Sequence, residues 1–180
     1  MNPLTPVNET GPSTPPGIAA ATADDVEAIR ALLVAAGLVA DRVADRVDRF
    51  LVVREAGRPV ACACLDDHGE AGLLRSVAVA PERRGRGLAR ALVVALLERA
   101  RRRGHVAVYL LTSSAQGYFE RFGFRPVERA CVHPAILTSD QFGGRGECTT
   151  STVMVLELTT RKEAPHNEHA DDRHGPAGDP

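Results

Sequence analysis

The segment from Ser76 to Ala89 constrains this chain most, because its pattern is a strand, a tight glycine-containing loop and the start of a helix. Pro81 ends the strand, since its ring fixes its own φ and disfavours helix at the residue before it. Gly85 and Gly87 remove side chains where the backbone turns sharply, so consecutive amides can point at one anion as the helix begins. The helix dipole favours negative charge there, and three arginines add positive potential, Arg83, Arg84 and Arg86. The segment predicts a binding site for a diphosphate.

Other interpretations of this arginine-rich loop are a solvated basic turn and an RNA contact. RNA-binding Arg/Gly segments normally repeat within disordered sequence, whereas this one joins a strand to a helix. A Walker loop is excluded because Gly-Lys-Ser/Thr is absent, and a dinucleotide fingerprint because Gly-x-Gly-x-x-Gly is incomplete. The context favours a phosphate-binding turn.

Length, composition and charge limit the remaining choices. The 180 residues, 44% of them hydrophobic, suffice for one core. A formal net charge of −1 gives no reason to expect nucleic acid or a membrane surface as the partner, and no apolar run approaches the length of a membrane span. No basic segment runs into an apolar one after Met1, so we predict a cytoplasmic protein whose four cysteines are free thiols.

The chain divides into one predicted domain and two tails. Residues 1–17 are dense in Pro, Thr and Gly, and residues 161–180 are polar and rich in His, so we predict disordered tails around a domain at 18–160. Within that domain the patterns predict helices at 22–37, 87–103 and 115–122, and strands at 50–54, 60–65, 73–80, 106–112, around 127 and at 153–158, with a turn at 66–69. This order predicts a mixed sheet with helices on both faces.

Two linked motifs resemble one enzyme family. Residues 84–89, Arg-Gly-Arg-Gly-Leu-Ala, match the R/Q-x-x-G-x-G/A signature of Gcn5-related N-acetyltransferases (GNAT). Downstream, Ala115 and Phe119-Glu-Arg-Phe-Gly-Phe124 resemble the family's A-x-x-x-Y-E-K-x-G-F element at the expected distance. The resemblance implies the α/β GNAT fold, a mixed and mostly antiparallel twisted sheet with helices on both faces and a splayed central strand pair. It also implies acetyl-CoA as co-substrate, a small-molecule amine as acceptor and no metal.

In the fold that this chain resembles, the pantetheine arm of acetyl-CoA fills the gap between the splayed strands and pairs with the backbone as an extra strand would. The resemblance thereby identifies a set of CoA-binding positions on the two strands, the turn and the following helix: Val77, Ala78, Val79, Arg83, Arg84, Gly85, Arg86, Gly87, Leu88, Ala89, Thr112, Ala115 and Phe119. Core packing of Val77 and Val79 is compatible with this role, since side chains can pack while the backbone binds.

Acetyl transfer needs a neutral amine, a polarised thioester carbonyl and a proton for the departing thiolate. Backbone amides near Val77 are candidates to polarise the carbonyl. The family pattern places a tyrosine where this chain has Phe119, and the nearby phenol is Tyr118. Adjacent helical residues point about 100° apart. Tyr118 is therefore either the acid or a half-buried packing residue.

The general base is not evident from the sequence. Residues 72–79 contain no carboxylate, although some relatives carry a glutamate there. Glu70, Asp66 and His68 are candidates, but their segment has turn composition. Proximity and a water chain are the alternative for an already reactive amine.

Part of the sequence is similar to the arsenic-resistance N-acetyltransferase branch of the family: residues 72–79 and 109–112, then Phe142, Cys148 and 151–153. That branch resembles the acetyltransferase domain of N-acetylglutamate synthases, which implies an acceptor with an α-amino group and a carboxylate, with an arsenic-containing amino acid as one form. We expect Arg75 to share the face of Val77 and Val79 and either to clamp that carboxylate or to remain solvated at an edge. Ser76 and Ser151 are the other predicted substrate-binding residues.

No metal site is predicted from the cysteines. The separation of Cys131 from Cys148 fits no short metal signature, and we expect Cys62 and Cys64 on opposite strand faces. Two other functions stay open: acetylation of protein lysines or N-termini, which needs a groove that residues 132–147 are expected to cover, and non-catalytic acyl-CoA binding. Pairing of two copies through the late strands is a further expectation of this architecture.

Overall fold

The structure is a computed structural model that describes residues 17–143 and 151–158. Seven strands form one sheet in the order β1-β2-β3-β4-β5-β7-β6. The strands are β1 Ile18–Ala20, β2 Phe50–Glu55, β3 Arg58–His68, β4 Ala71–Val79, β5 Ala107–Thr112, β6 Arg125–Pro126 and β7 Thr152–Glu157. All neighbours are antiparallel except β4 and β5. The predicted mixed, mostly antiparallel sheet is confirmed. The predicted tails, apart from Gly17, and Cys148 lie outside the described residues.

Five α-helices accompany the sheet in the described part of the chain: α1 Val26–Ala35, α2 Leu88–Arg102, α3 Gln116–Glu120, α4 Pro134–Leu137 and α5 Asp140–Gly143. A 3-10 helix, Ala44–Arg49, leads into β2. No helix in these ranges is long and apolar enough to cross a membrane.

The helix α1 begins where the sequence indicates, because Asp25 accepts a hydrogen bond from the Thr22 amide at 2.7 Å and fixes the first turn. It ends at Ala35, and Gly37 follows two residues later with a φ of 67°, in the left-handed region that stops a helix. Its buried residues Ile29 and Leu33 pack on one face of the sheet. Burial of each such side chain contributes about 1.5–3 kcal/mol.

The helix α2 packs on the opposite face, where Leu92 and Leu96 belong to the same buried core as Ala61 and Ala63 of β3. The prediction of helices on both faces is thus confirmed. Cys62 and Cys64, in contrast, both lie on the α1 face. The expectation that they face opposite ways is wrong, because residues i and i+2 of a strand share a face.

A β-bulge interrupts β4. Cys64 lies opposite Arg75, but Cys62 lies opposite Ala78, so β4 contains one extra residue. Ser76 absorbs the distortion with a φ of 56°.

This bulge reverses which side of the sheet each later β4 residue faces. Arg75 lies on the α1 face with Cys64, whereas Val77 and Val79 pack against the α2 core. The expectation that Arg75 shares their face is therefore wrong, since it assumed an unbroken two-residue period.

The predicted turn at 66–69 is also wrong at its start. The strand β3 continues to His68, and Asp66 is buried opposite Leu73 rather than solvated. Three arginines that are distant in sequence neutralise its charge, so a residue of turn composition stays within the sheet.

The central strands β4 and β5 pair only at one end. Their parallel register covers Ala71↔Ala107, Gly72↔Val108 and Leu73↔Tyr109. Beyond these pairs β4 remains paired with β3, and β5 with β7 as far as Thr112↔Thr152. The two strands therefore diverge from Leu74 onward, which confirms the predicted splayed pair.

Candidate active site

A pocket of about 720 Å³ lies where β4 and β5 diverge. Most residues that line it come from the two strands, from α3 and the loop before it, and from the segment after α1. The residues are Ala36, Gly37, Leu38, Val39, Asp41, Arg42, Leu74, Arg75, Ser76, Val77, Ala89, Leu110, Leu111, Thr112, Ser113, Ser114, Ala115, Tyr118, Phe119, Asp140, Gln141 and Ser151. The pocket thus brings together nine of the predicted site residues: Arg75, Ser76, Val77, Ala89, Thr112, Ala115, Tyr118, Phe119 and Ser151.

The predicted phosphate turn has the backbone that its glycines indicate. Gly85 and Gly87 have φ values of 77° and 76°, and Gly87 is the N-cap of α2. In the described chain, the amides of residues 85–87 have no backbone acceptor, and the Ala91 amide bonds to the Gly87 carbonyl. The amides of residues 88–90 belong to the first turn of α2, where N–H groups have no acceptor within the helix. This exposed turn can therefore offer several amides to one anion.

The three arginines of the turn have different surroundings. Arg83 donates to the Glu55 carboxylate at 2.6 Å, so its charge is already paired with β2. Arg84 donates from Nε to the Val79 carbonyl at 3.3 Å. Arg86 is exposed and contacts no acceptor in the described part of the chain. Of the three, Arg86 has the guanidinium most available to a ligand phosphate.

The phenol of Tyr118 lies at the pocket, beside Phe119 on α3. Their rings meet edge to face with centroids 5.2 Å apart. The Tyr118 hydroxyl is buried and has no hydrogen-bond partner among the described residues. Burial raises the pKa of Tyr118, so the phenol stays protonated at neutral pH. Although adjacent helical residues diverge, both side chains line the pocket.

The predicted base candidates lie elsewhere. Glu70 is exposed in the turn between β3 and β4, at the end of β4 away from Ser76, and does not line the pocket. Asp66 and His68 are also outside the lining. The two carboxylates that do line it, Asp41 and Asp140, were missed by sequence reasoning.

Beside the pocket lies an ionic cluster of three arginines and two aspartates, hereafter the arginine–aspartate cluster: Arg46, Arg49, Asp66, Arg75 and Asp140. Asp66 accepts from Arg46 at 3.0 Å, from Arg49 at 3.1 Å and from Arg75 at 3.3 Å. Asp140 accepts from Arg46 at 2.7 Å and from Arg75 at 3.0 Å. Three positive and two negative charges leave the cluster with an excess positive charge.

Asp140 cannot act as a base at neutral pH. Burial opposes its ionisation, but the hydrogen bond from Arg46 and the charge of Arg75 outweigh it and lower the pKa of Asp140 to about 2. A group with this pKa is a poor proton acceptor near pH 7.

No short motif marks Arg46 or Asp140, which are 94 residues apart in sequence. Only folding brings the 3-10 helix before β2 and the short helix α5 to the same edge of the pocket.

Neither the cysteines nor other side chains form a metal centre in the described ranges, where no group of three or more His, Cys, Asp or Glu side chains could hold an ion. Cys62 and Cys64 are buried free thiols, and Cys131 is an exposed one. Burial raises the pKa of Cys62 to about 12.

The diverging strands, the glycine turn at the start of α2 and the shared pocket define the α/β GNAT fold. Residues 46–126 match the family described as acetyltransferase (GNAT) domain. The matched segment contains the diverging strands and the glycine turn, and together with the shared fold it supports an N-acetyltransferase. Comparison with curated proteins gives no match.

Solved structures share this fold. Rv2747 from Mycobacterium tuberculosis, in complex with CoA and a second ligand, is 25% identical with a TM-score of 0.69, over 79% of this chain and 99% of that one. N-acetylglutamate synthase from Neisseria gonorrhoeae, complexed with CoA and N-acetyl-glutamate, is 20% identical with a TM-score of 0.68, over 79% of this chain but only 35% of the synthase. PaiA N-acetyltransferase from Thermoplasma acidophilum, in complex with CoA, is 11% identical with a TM-score of 0.61, over 79% and 98%. The latter two likenesses show the fold alone.

Proposed function

We propose that this protein transfers an acetyl group from acetyl-CoA to the amine of a small, amino-acid-like acceptor that carries a carboxylate. The observation behind this proposal is that one pocket is lined both by predicted CoA-binding residues, such as Val77 and Thr112, and by Arg75. The donor and an anionic acceptor can therefore meet in the same space.

The donor would bind along the diverging strands, with its diphosphate at the glycine turn. The free amides at 85–87 and the positive end of the α2 dipole suit a diphosphate. The backbone of β4 beyond Leu74 has no partner on the β5 side and can pair with the pantetheine arm. The CoA present in the solved relatives supports this placement.

In the reaction, the neutral amine nitrogen attacks the thioester carbonyl carbon, an N–C bond forms, and the C–S bond breaks. Amides of β4 around Ser76 and Val77 would polarise the carbonyl oxygen, because the bulge frees that backbone from regular pairing. Tyr118 would give its proton to the departing thiolate, since the residue lines the pocket and its buried hydroxyl has no described partner. The amine proton would leave through water, because Asp140 is too weak a base.

The acceptor's carboxylate would bind near Arg75, whose cluster retains a positive charge. Arginine recognises carboxylates through paired N–H groups. The synthase with the same fold was solved with N-acetyl-glutamate, which carries carboxylates. The resemblance to the arsenic-resistance branch adds phosphinic and arsinic amino acids to the acceptors worth testing.

The test is an acceptor screen with acetyl-CoA, in which released CoA is detected by a thiol reagent. Enzyme-only reactions are needed because Cys131 is exposed and reacts with the same reagent. The panel contains L-glutamate, L-glutamine, L-arginine, phosphinic and arsinic analogues, and matched amines that lack the carboxylate. We expect turnover with a carboxylate-bearing amine. Turnover also separates this function from non-catalytic acyl-CoA binding.

A charge-neutral variant tests the role of Arg75. Arg75→Gln should raise KM for the carboxylate-bearing acceptor while the matched amine without a carboxylate is unaffected. Arg58→Gln is the control, because Arg58 is exposed on β3 and does not line the pocket. Equal use of amines with and without a carboxylate, or no turnover across the panel, would refute the proposed acceptor class.

A further inference from the structure

Asp66 and Asp140 both bind arginines, but their settings differ. The Asp66 side chain is 4% exposed and bonded to three arginines, as expected for a carboxylate that holds the cluster together. The Asp140 side chain is 40% exposed, lines the pocket and projects from the four-residue helix α5. Asp140 is therefore the aspartate of the cluster that can be exchanged for a ligand at low structural cost.

The contacts of Asp140 are those that a bound carboxylate would make. One oxygen accepts from Arg46 at 2.7 Å and the other from Arg75 at 3.0 Å, so the carboxylate bridges two guanidinium groups. Two-oxygen, charge-assisted recognition of this kind is how arginines bind carboxylates generally.

Arg75 has binding capacity beyond these contacts. Its NH1 nitrogen serves both Asp66 and Asp140, while its buried Nε has no hydrogen-bond partner among the described residues. A guanidinium has five N–H donors, so Arg75 can keep its bond to Asp66 while a ligand replaces Asp140. Release of Asp140 would also raise the excess positive charge of the remaining cluster by one.

We propose that Asp140 occupies the carboxylate position of the acceptor site when no acceptor is bound, so that an acceptor's carboxylate must displace it from Arg75. Asp140 then sets how strongly the enzyme binds carboxylate-bearing acceptors. This inference rests on the proposed function, because it concerns the acceptor side of the same pocket.

The test compares wild type, Asp140→Asn and Asp140→Ala with two acceptors, L-glutamate and its diamide, which keeps the amine and has no carboxylate. We expect both variants to lower KM for L-glutamate about 5- to 20-fold with little change in kcat, because the competing carboxylate is gone. KM for the diamide should stay within about twofold. The control is Glu27→Gln, which removes the same charge from an exposed ion pair with Arg30, and neither of these two residues lines the pocket. It should leave both KM values unchanged.

A binding measurement makes the result independent of turnover. Glutarate, a dicarboxylate without an amine, should bind Asp140→Asn about 5- to 20-fold more tightly than wild type in calorimetry, and thermal melting identifies any variant that fails to fold. An unchanged or raised KM for L-glutamate in folded variants, with unchanged glutarate affinity, would overturn the proposal and assign Asp140 to holding Arg75 in place. If wild type acetylates no carboxylate-bearing amine of the panel and does not bind glutarate, the proposed acceptor class itself fails.

Discussion

A negative charge at Gly87 tests the placement of the acetyl-CoA diphosphate. Gly87→Glu puts a carboxylate at the N-cap of α2, where we place the diphosphate. At about 6 Å and an effective dielectric constant of about 20, repulsion between two unit charges is roughly 3 kcal/mol, which salt reduces. We therefore expect about 30- to 100-fold weaker binding of acetyl-CoA, measured by calorimetry.

The matched control is Gly104→Glu, at the other end of the same helix. Gly104 has a φ of 79°, close to the 76° of Gly87, and an added Cβ meets no atom within 4 Å at either position. Both variants therefore carry the same left-handed strain of roughly 1–2 kcal/mol in the free energy of unfolding.

The two variants differ in where the new charge lies. The helix has 15 residues and is about 22 Å long, so the control charge lies beyond screening distance from the turn. Gly104→Glu should bind acetyl-CoA within about threefold of wild type. Equal affinity in wild type and Gly87→Glu, or an equal loss in both variants, would refute the assignment of the turn.

Two other substitutions test the bulge and the phenol. Ser76→Val should lower the free energy of unfolding by about 1–2 kcal/mol in urea denaturation, because a β-branched residue resists a φ of 56°. Ser76→Gly should be at least as stable as wild type. Equal stability of the two variants would contradict the strain argument. Tyr118→Phe should preserve the melting temperature, since the hydroxyl has no described partner, and should lower kcat about 10- to 100-fold if the phenol protonates the thiolate. Because burial raises the pKa of Tyr118 from its ordinary value, ionisation of the phenol should not reduce the wild-type rate near neutral pH, and unchanged kcat in the variant would exclude Tyr118 as the acid.

The donor half of the site could be predicted from the sequence because its elements are local. Gly85, Gly87 and Pro81 dictate a strand end, a left-handed loop and a helix start within a few residues, and the structure has these elements in that order. The helices and strands were predicted with similar success, since apolar periodicity records which face each element buries. Errors occurred where a tertiary contact outweighed local composition, as at Asp66, which three arginines hold inside β3.

The acceptor half depends on the tertiary structure. A single extra residue in β4 places Arg75 and Val77 on opposite faces of the sheet, and no local pattern predicts a bulge that depends on pairing with β3. Asp140 reaches Arg46 and Arg75 only because the sheet and α5 bring distant segments together. The sequence by itself determined the glycine turn before α2, where a few consecutive residues control the backbone. Folding decided the charge arrangement around Arg75, because ion pairs form between side chains whose separation only the whole sheet sets.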